Sequence, residues 1–339
     1  VLKLYCLIDN YFFSFHIANI LLYFVPSKEI SYFCNDFTVL AMSIWKTIST
    51  TLIHINHRED LTRWERPYTG DLPIYGVYHV FCAEGWEELM PLQIERLKKS
   101  GLAARTKTLF ISCIYRHAED IEKMKRMLEG VRHEIVACTP DAHQFEYPAL
   151  DAVYRKAKEE DCIIYYFHTK GVSYHGPQKS DRHWLYFKKK VEAWREVMEY
   201  FNIDKWTVAA NVLTAGYDTY GCLRYPPKPA AFTMYAGNFW WARASYLRTL
   251  RPLTQEERED RMLAETWIFT GKHHDFSAFD TLAMLYRTYM PPGMYEDDKK
   301  VTLWQRLAFV WEFNFSKLRK KVFHYNFIKR NNAIYQRFS

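Results

Sequence analysis

Glycine and proline are scarce in this chain, at 12 and 13 of 339 residues. That scarcity excludes collagen-like and Pro/Gly-rich disordered classes. A hydrophobic share of 49% with 25% charged residues is the balance of a packed globular protein. CxxC pairs are missing as well. The seven cysteines are Cys6, Cys34, Cys82, Cys113, Cys138, Cys162 and Cys222, and their odd number and spacing suggest neither a zinc knuckle nor a regular disulfide framework. Cys82, Cys113, Cys138 and Cys162 lie in or at the end of apolar runs, which fits buried free thiols in a reducing, cytoplasmic compartment. No uninterrupted apolar run reaches the ~20 residues of a bilayer span. The strongest, residues 11–26, is broken by His16 and Asn19. It has no basic n-region and no small-residue cleavage site. A buried or dispensable segment is expected there, with a membrane anchor as the alternative.

Several catalytic signatures are also absent. There is no GxGxxG after the first strand and no Walker loop, so neither dinucleotide nor ATP binding is signalled. There is no GxSxG elbow. No RNP-type motif or helix-turn-helix signal supports nucleic acid as a partner. No DxD occurs anywhere. His273-His274-Asp275 is a metal cluster only on paper, because adjacent histidines point in different directions and no partner has HExxH spacing.

Positive charge is present in excess: the net charge is +7, which favours anionic company such as a pyrophosphate or an anionic membrane. It is concentrated late in the chain, in Lys317, Arg319, Lys320, Lys321, Lys329, Arg330 and Arg337, with Glu312 as the only acid nearby. This basic, aromatic stretch, residues 304–339, suggests a peripheral contact with anionic lipid; a closing helix with a solvated tail is the plain alternative.

Periodicity divides the chain. Residues 1–70 show no clear period and end in a polar connector from Asn56 to Asp71. Apolar, β-branched and aromatic runs at 75–82, 108–115, 134–138 and 162–167 predict strands. Helical spacing at 86–100, 118–129 and 148–160 predicts the crossovers between them, the first two closed by Gly101 and Gly130. Helices are expected after residue 180, at 184–201, 204–213, 276–289 and 304–315. The alternation argues for an α/β fold with a mostly parallel sheet flanked by helices, binding its ligand at the carboxyl ends of the strands. The expected division is an N-terminal extension over 1–70, the α/β domain over 71–290, and a basic helical C-terminal extension over 291–339.

Three blocks carry polar chemistry in apolar surroundings. His168-Thr169-Lys170-Gly171 ends the strand 162–167. Lys170 can pair with phosphate oxygens, His168 can donate to phosphate or a sugar hydroxyl, and Gly171 permits a sharp turn; an ordinary strand exit is equally compatible. Gly237-Asn238-Phe239-Trp240-Trp241 joins an amide for sugar hydroxyls to two rings for stacking, with core packing of at least one ring as the alternative. Glu265 stands alone in an apolar stretch and is either a general base in a cleft or a surface helix residue. Arg195, beside Trp194, is a further phosphate candidate.

The runs YYFHTKGVS, WREVMEYFNIDKW, AGNFWWARASYLRTL and AETWI resemble glycosyltransferase-like proteins of bacteria and large DNA viruses, similar to rhamnan-synthesis-type polysaccharide glycosyltransferases. The resemblance spans residues 75–269. It implies a GT-A-like, Rossmann-like fold that moves a sugar from a nucleotide-diphosphate donor to a glycan or lipid-linked acceptor. In that fold a DxD follows the strand that here ends in HTKG, so the resemblance sets His168 and Lys170 at the metal-binding position. Cationic side chains would then neutralise the leaving diphosphate, with Mn²⁺ left open and no cofactor required. It also implies donor contacts from Gly171 and Arg195, a sugar and acceptor pocket shaped by Gly237, Asn238, Trp240 and Trp241, and Glu265 as the base. A non-catalytic protein that binds glycan or nucleotide sugar on the same fold is the alternative.

Overall fold

The apolar run beginning at Ile74 is buried along nearly its whole length, as a strand covered on both faces must be. In the computed structural model, which describes residues 55–172, 182–225 and 233–322, it is the hub of the sheet. The strands in chain order are β1 (Asn56–Arg58), β2 (Ile74–Phe81), β3 (Thr106–Ile114), β4 (His133–Thr139), β5 (Ile163–His168), β6 (Thr219–Gly221), β7 (Arg224–Tyr225), β8 (Met234–Tyr235), β9 (Trp240–Arg243), β10 (Asp275–Ser277) and β11 (Phe279–Thr281). The helices are α1 (Trp86–Lys99), α2 (Leu102–Arg105), α3 (Glu119–Met127), α4 (Tyr147–Glu159), α5 (Arg182–Glu199), α6 (Trp206–Thr214), α7 (Ala244–Leu247), α8 (Arg261–Thr266) and α9 (Leu303–Val322). A π-helical turn, Tyr200–Asp204, continues α5.

Seven strands form a mixed, mostly parallel sheet in the order β10-β6-β9-β5-β2-β3-β4. The strands β2, β3, β4 and β5 are parallel, and β9 runs antiparallel to both β5 and β6. Alternation along each strand sends side chains to two helical layers. Tyr75, Val77, Ile164, Tyr166, Trp240 and Ala242 join one core with α4, α7 and α8. Tyr78 and Trp241 face the other way. The Tyr78 hydroxyl donates to Gln93 of α1 at 2.7 Å, and the Trp241 indole donates to the Asn202 carbonyl in the π-turn at 2.9 Å. Cross-strand pairs tie β9 to β5: Tyr166 stacks on Trp240 with centroids 5.1 Å apart, and Tyr165 lies 4.9 Å from Trp241.

The helix expected over 276–289 is absent. Its first residues form β10 and β11, because β6 and β1 offer edges to pair with and those bonds outweigh local helical spacing. Asp280 braces the turn, accepting from Ser277 Oγ at 2.6 Å and from the Arg224 amide at 2.7 Å. The connector at 56–70 belongs to the same compact unit as the sheet. Its β1 pairs with β11, Leu61, Trp64 and Tyr68 are buried, and Asn211 Nδ2 donates to the Trp64 and Arg66 carbonyls. No break falls at residue 290 either: Phe309 and Phe313 of α9 are buried, and Glu312 pairs with Lys190 of α5. The apolar run 11–26 and the tail beyond residue 322 lie outside the described residues. Among the described residues no helix is long and apolar enough to cross a membrane.

Gly76 shows how tightly the centre is filled. A Cβ there would sit 2.3 Å from Tyr165 Cζ and 2.6 Å from Leu109 Cδ1. Gly76→Ala is expected to lower stability by about 1–3 kcal/mol, read as an earlier midpoint in urea unfolding. An unchanged midpoint would mean that β2 and β5 can separate without cost.

Candidate functional site

The order of the sheet creates one place where neighbouring parallel strands are followed by crossovers to opposite sides. From β2 the chain moves through β3 to β4 on one side, whereas β5 lies on the other. The carboxyl ends of β2 and β5 flank that switch point, where open α/β sheets take ligands. His79 and His168 are direct partners in the two strands there.

Beneath this edge lies a buried carboxylate. Phe145 adopts φ 45°, a conformation uncommon for a bulky residue, and the next residue, Glu146, is buried just before α4. Glu146 Oε2 accepts from the Tyr166 hydroxyl at 2.8 Å and from Asn238 Nδ2 at 2.5 Å. Its Oε1 stands 4.0 Å from His168 Nδ1. Burial alone would raise its pKa, but His168, His79 and the two hydrogen bonds outweigh that and pull it down to about 2. The imidazole pKa values are lowered too, but for them burial is the cause. Burial holds His79 down at about 4 and also lowers His168, although Glu146 pulls both back up. At neutral pH the cluster is therefore one carboxylate beside two neutral imidazoles. His168 Nε2 lies 2.9 Å from the Gly237 carbonyl, which can only accept, so that nitrogen carries the proton.

The turn before β9 is shaped to meet this group. Gly237 and Asn238 both have positive φ, at 100° and 58°. A Cβ on Gly237 would also lie 2.4 Å from Met198 Sδ of α5, so glycine is required twice over. Asn238 Oδ1 accepts from the Trp240 indole at 2.9 Å, which leaves its Nδ2 for Glu146. Gly171 has φ 87°, and a Cβ there would lie 2.8 Å from Val191.

Above the cluster the groups are more open. Lys170 is half-buried, with Nζ 4.3 Å over the Trp194 ring of α5. Burial lowers its pKa, Glu265 and Glu146 oppose that shift, and Arg261 adds to it. Glu265 is half-buried and Arg261 exposed, both on α8. At the rim Lys170 thus lies within the electrostatic reach of Arg261, Glu265 and Glu146. Such a rim can hold an anionic ligand and remove a proton near it.

The structure sorts the expected residues into groups. Lys170, Glu265, His168, Gly237 and Asn238 meet at one edge, and Gly171 follows Lys170 in its turn. His168 faces inward rather than outward: it is 8% exposed and bonded to Gly237, so it holds the turn instead of reaching a phosphate. Trp240 and Trp241 are both 0% exposed and satisfied internally, so neither ring has a face free for sugar. The strand direction is the cause, since adjacent residues of a central strand fill both cores. Arg195 is buried and pairs with Glu199 at 3.2 Å; its neighbour Trp194 is the residue that reaches Lys170. Glu146, His79 and Arg261 carry no motif. Nothing in the sequence marks Glu146, an acid two residues before the predicted helix. Among the described residues no group of three His, Cys, Asp or Glu is arranged to hold a metal ion. No family model matches the chain, and no curated protein matches it.

The lowered pKa of His79 gives a sign to pH dependence. Between about 4 and the ordinary histidine value the unfolded chain binds the proton and the folded one does not. Stability is therefore full above that ordinary value and falls as pH drops towards about 4, by at most about 1.4 kcal/mol per pH unit for one proton. His79→Gln should flatten this slope in urea unfolding at pH 7 and pH 5. An equal slope in both proteins would mean that His79 titrates normally.

Proposed function

We propose that the protein is a glycosyltransferase that takes a nucleotide-diphosphate sugar at the edge between β2 and β5. One observation carries the reading: Lys170, at the carboxyl end of the switch-point strand, is half-buried and shares its field with Arg261 and Glu265. The order 3-2-1-4 of the parallel strands, counted from β2, supports a nucleotide-binding architecture of the Rossmann type. The resemblance of the HTKG and GNFWWA blocks narrows that to a GT-A-like enzyme.

On this reading the acceptor hydroxyl attacks the anomeric carbon as the bond from that carbon to the diphosphate oxygen breaks. Glu265 takes the hydroxyl proton. The charge that develops on the leaving diphosphate meets Lys170 and Arg261, which stabilise it where it forms. Glu146, His168 and Asn238 act from beneath by fixing the two turns that present the rim. One positive side chain, Lys170, at the position of the metal-binding pair fits charge neutralisation by the protein itself. Turnover in EDTA and in Mn²⁺ measures what a divalent ion adds.

The burial of both tryptophans favours a second reading, a protein that binds nucleotide sugar without turnover. Donor hydrolysis over a panel of UDP-, GDP- and dTDP-sugars separates the two. Lys170→Ala is expected to weaken nucleoside-diphosphate binding by roughly 10- to 100-fold, the loss of one charge-assisted hydrogen bond. Glu265→Gln should leave that affinity unchanged and lower kcat by about 10²–10⁴-fold. Wild-type affinity in the Lys170 variant, measured by calorimetry, would remove the diphosphate site from this edge. Binding by the wild type, weakened in the Lys170 variant, with no turnover would establish the second reading.

A further inference from the structure

The helix α9 has two apolar faces, one buried and one exposed. Phe309 and Phe313 are buried. About half a turn around the helix, Leu303, Leu307, Trp311 and Phe315 recur at steps of four residues with Trp304 beside them, and all are exposed. Trp304 is 80% and Trp311 70% exposed. The Trp311 and Phe315 rings stack on each other with centroids 5.8 Å apart. Large apolar side chains ranged along one helix face in water mark a contact surface.

The charges around the stripe select its occupant. Glu312, the only acid within α9, is half-buried and neutralised: it pairs with Lys190, accepts from the Tyr289 amide at 2.9 Å and accepts from the Tyr186 hydroxyl at 3.1 Å. Arg306 is exposed on the same helix. After Phe315 the sequence runs through Lys317, Arg319, Lys320 and Lys321, and no acid follows to residue 339. An apolar, tryptophan-bearing face joined to a purely basic segment is complementary to an anionic lipid surface, where rings enter the headgroup layer and cations meet phosphate. A second copy of the chain is a poor match, because a two-fold contact would bring two equally basic segments together.

We infer that α9 docks the protein on anionic membranes, lying in the interface with Trp304, Leu307, Trp311 and Phe315 towards the lipid. This surface is independent of the sugar-transfer reading. It uses none of the residues at the β2/β5 edge, and it keeps its meaning if those residues prove inert.

The test is flotation of the full chain with vesicles of phosphatidylcholine alone or mixed with phosphatidylglycerol, at low and high salt. Wild type is expected to float with the mixed vesicles, less so at high salt, and weakly with phosphatidylcholine alone. The double variant Trp304→Ser/Trp311→Ser should lose at least tenfold of the bound fraction. Lys320→Glu/Lys321→Glu should lose at least as much, at about fivefold for each basic residue removed. The tryptophan substitutions should leave the Tm unchanged, because both rings are largely exposed. Wild type that does not float, or serine variants that float equally, would overturn the inference. A dimer in ultracentrifugation that the serine variant dissociates would overturn it too, by giving the stripe to a second copy.

Discussion

A single buried carboxylate orders the sheet edge between β2 and β5. Glu146 binds three separate parts of the chain: its own helix α4, the strand β5 through Tyr166, and the turn before β9 through Asn238. Each partner is itself held. Tyr166 stacks on Trp240, and Asn238 is fixed by the Trp240 indole. Removing one member of this buried, hydrogen-bonded group leaves the others without partners, at a cost of about 1–3 kcal/mol. Two neutral imidazoles complete the surroundings, and His168 returns the connection to Gly237. The ends of β5 and β9 therefore cannot drift apart, and the turn carrying Lys170 starts from a fixed point.

That rigidity matters for chemistry because a cation stabilises developing charge only when it is already in position. Lys170 lies over the Trp194 face, so its ammonium is held by α5 rather than free in water, and burial has already removed part of its solvation. A second layer, Tyr78–Gln93–Glu199–Arg96, runs beneath the same strand end and touches the His168 carbonyl through Gln93. Arg195 belongs to this layer. Its charge serves Glu199, which explains why a residue that reads as a ligand contact in the sequence is a structural cation in the fold.

Legibility followed the range of the interactions involved. Strands β2 to β5 and the helices α1, α3 and α4 were readable because apolar period and glycine stops are local signals. The segment 276–289 was misread because Phe276 and Phe279 are spaced as well for a helix as for strands, and only the edges of β6 and β1 decide between them. His168 and Lys170 were found as a motif, but the direction of the imidazole depends on a carbonyl 69 residues away. Trp240 and Trp241 attracted a ligand role by being unusual neighbours, and the sheet uses them for its two cores. Glu146 and His79 could not be found, since nothing in their neighbours along the chain reveals partners supplied by β5, β3 and the turn before β9.

The protein thus presents two separate surfaces, a cationic rim at the sheet edge and an aromatic, basic helix remote from it in sequence. The account depends on the first of these being where a diphosphate is gripped. A crystal structure with a bound nucleoside diphosphate tests this most directly. The expected result has phosphate oxygens within hydrogen-bonding distance of Lys170 Nζ, with His168 still bonded to Gly237 and the base nearer the other strand ends. A nucleotide seated elsewhere, with the Lys170 ammonium still resting on Trp194, would contradict it.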